Sequence, residues 1–360
     1  MAEVMQRRSL LRGLAALGLG AGLAGCNRDD PTALNVTILR NTLPPQLINR
    51  FRQEFPAQAL RLQIKTTPQD IFKQLEVNNS PSQWLSLGGA WLKLAIETRA
   101  IKPLDTLPHW ANLEPRWQQL VQRNAKGDPD PQGKIWGLPY RWGTTVIAYR
   151  EDLIQPTGWR PQDWADLWKP ELTQKLSLLN QPREVIGLVL KKLGQSYNTA
   201  NIDQVSGLKP ALEQLRQQTR FFASTDYLQS LIMGDTWIAQ AWSTDVLPIL
   251  NRYSNIKAIV PKSGTALWAD CWVKSPQTTD TTDGGWLEFW SQAEVANLFS
   301  QFSPAISPFL TDFQANGPAK TLLLPNQPTF QTSEVILPLS PSSQAQYDQL
   351  WSEVMLQGAQ

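Results

Sequence analysis

The side chains that most often carry catalysis are scarce in this 360-residue chain. It contains one histidine, His109, and two cysteines, Cys26 and Cys271. A zinc site of the usual Cys/His type cannot be built from this set, and a Cys–His relay would lack an orienting partner. No Gly-x-Ser-x-Gly nucleophile motif is present. We therefore predict that the protein is not an enzyme and needs no metal or cofactor.

Aromatic side chains are abundant by contrast, with 16 tryptophans in the sequence. Tryptophan in that number indicates stacking surfaces for a ligand or a heavily aromatic core. One carboxylate, Asp270, lies between Trp268 and Trp272 in an otherwise apolar segment, where it needs either a partner or a cleft. The 33 basic and 31 acidic residues nearly balance, so nucleic acid is not an expected partner.

The first 26 residues have the features of an export signal. Arg7 and Arg8 precede a glycine-rich apolar run that is too short to span a bilayer, as in a twin-arginine signal. Small residues then lead to Cys26, as in the lipobox at which bacterial lipoproteins are cleaved and acylated. The alternative, an amphipathic helix, is disfavoured because the run has no charged face. We expect a periplasmic protein with a lipid anchor on Cys26 and a polar tether over residues 27–33.

The elements that follow alternate between short strands and amphipathic helices. Apolar residues alternate with polar ones at 34–39 and 60–64, and a helical pattern follows each run, the second over 68–77. This order is typical of an α/β fold. A glycine-bearing strand at 143–149 leads into a second α/β unit, and a helix is predicted over 285–302. Two α/β lobes joined by crossing strands would leave a cleft between them, where ligands commonly bind.

Three segments in register resemble the polyamine-binding proteins of bacterial ABC importers: residues 135–145, 164–170 and 182–194. The similarity covers most of the chain after the tether. It implies a two-lobe α/β fold of the type II periplasmic-binding-protein kind, with a ligand cleft between the lobes. In that family the lobes close around an extended polycation, whose methylenes lie between aromatic side chains and whose ammonium groups bind carboxylates. The implied partners are a small cationic ligand, such as putrescine or spermidine, and an ABC permease.

The resemblance also implies lobe boundaries. Lobe 1 would comprise residues 34–144 and about 268–314, and lobe 2 would comprise residues 145–267 and about 315–360, because such lobes exchange segments through crossing strands. Ligand bridging of the two lobes would shift an equilibrium between open and closed forms.

Six residues match, or lie close to, positions where the family's motifs carry ligand contacts: Glu184, Trp242, Trp268, Asp270, Gln181 and Trp91. Carboxylates at Glu184 and Asp270 would anchor ammonium groups, and the tryptophans would form hydrophobic walls. Gln181 stands where the family usually has a carboxylate, so its contact would be neutral. The alternative for Glu184 is a residue favoured by the helix dipole, and for the tryptophans it is core packing.

Departures from the family pattern leave other ligands open. Arg40 stands near the first strand, where the family carries aromatics, and Ala305 or a neighbour replaces a late aromatic residue. A shorter diamine, or a ligand with one cationic end, is compatible with these changes. A different organic solute, with Arg40 or Arg183 contacting an acidic part, is a second hypothesis. A third is a lipoprotein with a degenerate cleft that serves as an assembly or scaffold partner.

Overall fold

A computed structural model describes residues 32–76, 82–277, 284–310, 322 and 325–356. The predicted export signal, Cys26 and most of the tether lie outside the described residues. Within the described ranges, no helix combines the length and the apolar character needed to cross a bilayer.

The described residues form twelve strands, most of them short and largely buried. In chain order these are β1 (Leu34–Leu39), β2 (Leu60–Lys65), β3 (Trp84–Gly88), β4 (Gln122–Arg123), β5 (Lys134–Ile135), β6 (Leu138–Arg150), β7 (Leu176–Leu178), β8 (Thr219–Phe222), β9 (Ile238–Trp242), β10 (Ile256–Ile259), β11 (Ala266–Lys274) and β12 (Glu334–Val335).

Helices connect and cover these strands, and proline occupies the first turn of several of them, where its missing N–H is not needed. In chain order they are α1 (Pro45–Glu54), α2 (Pro68–Glu76), α3 (Leu92–Glu97), α4 (Pro115–Val121), α5 (Glu151–Ile154), α6 (Pro182–Lys192), α7 (Leu208–Gln218), α8 (Gln229–Met233), α9 (Ser243–Leu250), α10 (Trp286–Ser291), α11 (Ala293–Phe302), α12 (Gln327–Thr332) and α13 (Pro341–Leu356). The predicted β-α-β-α order at the start of the fold is confirmed by β1, α1, β2 and α2.

Ten of the strands form one mixed sheet in the order β2-β1-β3-β11-β6-β9-β7-β8, with β10 beside β6 and β12 beside β11. The long strand β6 joins the two halves of this sheet. Its residues up to Thr144 pair with β11, and from Thr145 onward it pairs with β9. The sheet therefore changes partners in the middle of β6, and strand ends from both halves meet there.

The helix predicted over residues 285–302 is wrong as a single element. It is divided into α10 and α11 at Gln292, whose backbone is extended with ψ 135°. Trp290 and Phe299 are nine residues apart, which would put them on opposite sides of one straight helix. The break lets both rings enter the same core, where their centroids are 5.9 Å apart.

Aromatic packing in this core uses several of the tryptophans. Tyr140 stacks on Trp272 with centroids 4.1 Å apart, and Trp286 and Trp290 surround the pair. All four side chains are buried. The interpretation of an aromatic core is therefore confirmed for these residues, whereas Trp242 and Trp268 stay partly exposed.

Candidate functional site

One face of β6 gathers the predicted ligand residues from both halves of the sheet. Side chains two residues apart on a strand share a face, and directly paired residues on the neighbouring strand share it too. The cross-strand pairs on this face are Arg141 with Asp270, Gly143 with Trp268, and Thr145 with Trp242. The first and last pairs are about 13 Å apart along the strand, so the site has two ends.

The Glu184 end consists of Glu184, Thr145 and Trp242. Glu184 lies in the first turn of α6, and its side chain is turned toward β6 and β9. Its carboxylate accepts hydrogen bonds from Thr145 Oγ1, at 2.9 and 3.1 Å to the two oxygens, and from Trp242 Nε1 at 3.0 Å. These bonds fix a carboxylate that is only 6% exposed.

Glu184 has neutral hydrogen-bond donors but no counter-ion. In the described part of the chain, no lysine, arginine or histidine nitrogen lies within 4.0 Å of this carboxylate. Burial raises the pKa of Glu184, while the hydrogen bonds from Trp242 and Thr145 and the charge of Arg183 act to lower it. When it is ionised, a carboxylate held by neutral donors alone is suited to receive a cation from outside the protein.

A second carboxylate adjoins the Glu184 end. The hydroxyl of Tyr227 donates to Asp245 Oδ2 at 2.8 Å and accepts from the backbone N–H of Trp242 at 3.2 Å. Asp245 and Tyr227 line a cavity of about 360 Å³, and Asp226 stands at the same cavity. The surrounding protein raises the pKa of Asp245, although the Tyr227 hydrogen bond and the charge of Arg141 lower it.

The Asp270 end consists of Asp270, Arg141 and Trp268, and it already contains a cation. Asp270 Oδ2 accepts a hydrogen bond from Arg141 Nε at 2.7 Å, and Arg141 Nη2 lies 2.5 Å from the same oxygen as its ion-pair partner. The two side chains are only 13% and 12% exposed. The guanidinium carbon of Arg141 also lies 5.5 Å from the centre of the Trp268 ring, within the range of a cation–π contact.

Electrostatics at the Asp270 end keep Arg141 charged. Burial alone would lower the pKa of Arg141, but the charge of Asp270 and the hydrogen bond to it raise the pKa overall. The pair is therefore an internal salt bridge. In the described residues, the carboxylate of Glu184 has no equivalent partner.

One glycine, Gly143, permits the close packing around the Asp270 end. A Cβ atom at Gly143 would stand 2.3 Å from Trp268 Cζ2, so only glycine lets this indole lie across β6. A Cβ atom at Gly88 would be 3.5 Å from both Asp270 Oδ1 and Trp91 Cδ1. Gly88, at the end of β3, is therefore close to both Asp270 and Trp91.

The other residues named from the sequence, Gln181, Arg183 and Arg40, have different environments. Gln181 immediately precedes α6, is partly exposed, and accepts the backbone N–H of Glu184 at its own carbonyl. Arg183 donates instead to Tyr197 O and to Asn198 Oδ1, at 3.1 and 3.2 Å, and Arg40 is exposed. The arginine at the candidate site is therefore Arg141, which the sequence did not single out.

The single histidine and the second cysteine have ordinary environments. His109 is exposed, with Nε2 3.4 Å from Glu288 Oε1. Cys271 is a buried residue of the core, and burial raises the pKa of its thiol. Across the described ranges, no three His, Cys, Asp or Glu side chains are grouped so that they could hold a metal ion.

Four residues of the site were missed from the sequence: Arg141, Thr145, Tyr227 and Asp245. Arg141 did carry a signal, because a lone charge in an apolar strand needs a partner as much as Asp270 does. Asp245 carried another, since it belongs to a polar Ser-Thr-Asp run directly after β9, where a helix begins and strand ends meet. Thr145 and Tyr227 have common residue types and gave no signal.

Comparison with known proteins finds similarity to solute-binding proteins. The family model described as bacterial extracellular solute-binding protein matches residues 82–328. The putrescine-binding periplasmic protein PotF of Escherichia coli is 29% identical over 286 residues, which cover 72% of this chain and 73% of that protein. The putrescine-binding periplasmic protein SpuD of Pseudomonas aeruginosa is 23% identical, and the alignment covers 95% of this chain and 97% of that protein.

A solved structure shows the same fold. The spermidine/putrescine ABC transporter substrate-binding protein PotD of Streptococcus pneumoniae superposes with a TM-score of 0.76 at 20% sequence identity. The superposition covers 90% of this chain and 98% of that one. It confirms the predicted fold class, a two-lobe α/β fold of the periplasmic-binding-protein type. The extents of the two lobes along the chain stay a prediction.

Proposed function

Because the chain belongs to the bacterial extracellular solute-binding protein family, we propose that it captures a small organic cation of the polyamine class for an ABC importer. The family match covers residues 82–328, the part of the chain that contains every residue of the candidate site. Relatives that bind putrescine or spermidine support an amine as the ligand.

The single observation that carries this proposal is the state of Glu184. Its carboxylate is buried, is held by two neutral donors, and has no basic group within ion-pair distance among the described residues. A charge in that condition costs free energy until a cation arrives. The indole of Trp242, fixed by its bond to Glu184, offers a flat apolar face for the methylenes next to an ammonium group.

The other predicted residues extend the site along β6. Asp245 adds negative charge beside the Glu184 end, and Trp268, Trp91 and Asp270 form the opposite end. Gln181 supplies a neutral amide at the entrance to α6. Such a row of carboxylates and indoles fits a thin, flexible chain with a cationic terminus better than a sugar, which needs a wider set of hydroxyl partners.

Lobe closure is the proposed means of transport. A ligand that contacts β9 and α6 on one side and β11 on the other bridges both halves of the sheet, and it favours the closed form by its differential affinity. The permease would then recognise the closed form. Export by a twin-arginine signal and lipid anchoring at Cys26 belong to the same proposal, as does the absence of catalysis.

Thermal melting with a panel of solutes tests the proposal. The protein is melted alone and with putrescine, spermidine, choline or glucose, with tryptophan fluorescence as a second readout because Trp242 and Trp268 line the site. A bound ligand at 100 times its dissociation constant stabilises the fold by about 2.7 kcal/mol, which raises Tm by several degrees.

We expect amines to raise Tm and glucose to leave it unchanged. The control is Glu184→Gln, which keeps the shape of the side chain and should remove the amine effect. Stabilisation by glucose, or an amine effect that survives in Glu184→Gln, would contradict the proposal.

A further inference from the structure

Arg141 changes what the Asp270 end can bind. Its Nε donates to Asp270 Oδ2, its Nη2 forms an ion pair with the same oxygen, and its guanidinium lies against Trp268. These are the two kinds of contact, carboxylate and aromatic face, that an ammonium group seeks. The protein's own side chain therefore occupies the position that a second ammonium group of the ligand would take.

We propose that Arg141 is a resident cation that determines specificity, so that the site selects ligands with one ammonium group over diamines. The inference rests on the proposed function in that the ligand is a small organic amine, but it narrows the ligand to an amine with one ammonium group, where a polyamine has two or more. The ammonium group lies at the Glu184 end, where the carboxylate has no ion-pair partner in the described chain. The other terminus of the ligand reaches Arg141.

A diamine meets two obstacles at the Asp270 end. Its second ammonium would face the positive charge of Arg141, and like charges at close range repel. To bind Asp270 it would have to displace Arg141, whose side chain is only 13% exposed and would then be left without its partner. The charge of Arg141 also lowers the pKa of Asp245, so its electrostatic influence extends beyond its own end of the site.

The chemistry of Arg141 indicates what the second terminus of the ligand carries. A guanidinium has five N–H donors and no acceptor, and it binds oxygen acceptors in a fixed geometry. The contacts with Asp270 and with the Tyr140 hydroxyl use part of this set, and the remaining N–H groups can bind further acceptors. The inferred ligand class is therefore an aliphatic amine whose far end is a hydroxyl, amide or carboxylate oxygen.

Three probes of equal chain length test this inference by isothermal titration calorimetry: putrescine, 4-aminobutan-1-ol and 4-aminobutanoate. Wild-type protein is compared with Arg141→Met, which frees Asp270, and with the double variant Arg141→Met/Asp270→Asn, which removes both charges. Arg50→Met is the matched control, because Arg50 is a partly exposed arginine of α1 that pairs with Glu294.

We expect wild-type protein to bind at least one oxygen-terminated probe about tenfold or more tightly than putrescine, as one unfavourable charge contact requires. In Arg141→Met the order should reverse, because Asp270 becomes available to the second ammonium. The double variant should lose that gain in putrescine affinity, and Arg50→Met should behave as wild type. The double variant leaves no unpaired charge, so it can be measured even if Arg141→Met is too unstable. In that case the order of affinities of the three probes for wild-type protein decides the test.

Two results would count against these ideas, and they are distinguishable. Putrescine bound more tightly than both oxygen-terminated probes by wild type, with that ranking unchanged in the variants, would overturn the role of Arg141 and leave the proposed function intact. Failure of wild type to bind any amine, including spermidine, would overturn the proposed function and this inference with it.

Discussion

The two ends of the site treat their carboxylates in opposite ways. At the Glu184 end, neutral donors from Thr145 and Trp242 hold a carboxylate that has no counter-ion in the described chain. At the Asp270 end, Arg141 satisfies the carboxylate inside the protein. A buried acid in a cleft is therefore not by itself a cation site. What matters is whether the fold has already supplied the cation.

The largest effect on stability should come from breaking the internal pair. Asp270→Asn removes the partner of the nearly buried charge of Arg141, and we expect the free energy of unfolding to fall by about 3–5 kcal/mol. Glu184→Gln should cause no comparable loss, because it removes a charge that burial opposes. Urea denaturation of the unliganded variants measures both.

An exposed pair provides the control for that comparison. Asp152 pairs with Arg150 but is 43% exposed, so Asp152→Asn should cost at most about 1 kcal/mol. If Asp270→Asn unfolds no more easily than Asp152→Asn, then Arg141 and Asp270 are not the satisfied pair described above.

Crowding at β6 should give an intermediate effect that is confined to the Asp270 end. Gly143→Ala would put a methyl group 2.3 Å from Trp268 Cζ2 and force the indole to move. We expect a loss of about 1–3 kcal/mol in unfolding free energy, as for other overpacked sites. Ala148→Gly, at another position of β6, is the control for how sensitive this strand is to substitution in general. Gly158→Ala is less suitable, because Gly158 has a positive φ. An unfolding free energy of Gly143→Ala equal to that of wild type would show that this contact is absent.

The pH response should separate the two ends further. Burial raises the pKa of Glu184, so as the pH falls this residue takes up a proton before an ordinary glutamate does. Amine affinity should therefore decrease toward acid pH. The unliganded fold should show the opposite sign, because it binds more protons at Glu184 than the unfolded chain and loses stability as pH rises through the raised pKa.

Asp245 contributes in the same direction, since its pKa is also raised by the surrounding protein. The measurement is affinity by titration calorimetry between neutral and mildly acid pH, for wild type, Glu184→Gln and Asp245→Asn. An affinity that is independent of pH in wild type would contradict an ionised acceptor at the Glu184 end.

The smallest effect is expected from the hydroxyl of Thr145. Thr145→Val keeps the shape of the side chain but removes the donor to Glu184, and one such bond contributes about 1–3 kcal/mol when the acceptor is charged. Binding should weaken modestly, and the pH at which affinity is lost should move upward. Thr144→Val, whose hydroxyl donates to Leu322 O, is the neighbouring control. Equal effects of the two substitutions on amine affinity would exclude a specific role for Thr145.

Local patterns in the sequence predicted the parts of the fold that depend on local forces. The alternation at residues 34–39 and the helical pattern over 68–77 each depend on neighbours within one element, and the structure has β1 at Leu34–Leu39 and α2 at Pro68–Glu76. The break at Gln292 could not be read in this way. It is set by a tertiary demand, that Trp290 and Phe299 enter one core.

The candidate site was likewise predictable from the sequence only in part. Glu184 and Trp242 were found through motifs in register, and the structure brings them into direct contact. The pairing of Arg141 with Asp270 joins residues 129 positions apart, and that of Thr145 with Glu184 joins residues 39 apart. Arg141 and Asp270 each stand as a charge in an otherwise apolar strand of the sequence, but which group pairs with which is decided by the order of strands in the sheet.

The most direct test compares the two ends with one monoamine probe. Titration of n-butylamine into Glu184→Gln and Asp270→Asn, each folded under the conditions used, asks which carboxylate holds the single ammonium group. We expect Glu184→Gln to lose most of the affinity of wild type, by about 2–5 kcal/mol, and Asp270→Asn to retain it. The reverse result, with binding kept in Glu184→Gln and lost in Asp270→Asn, would contradict the assignment of the ammonium group to the Glu184 end.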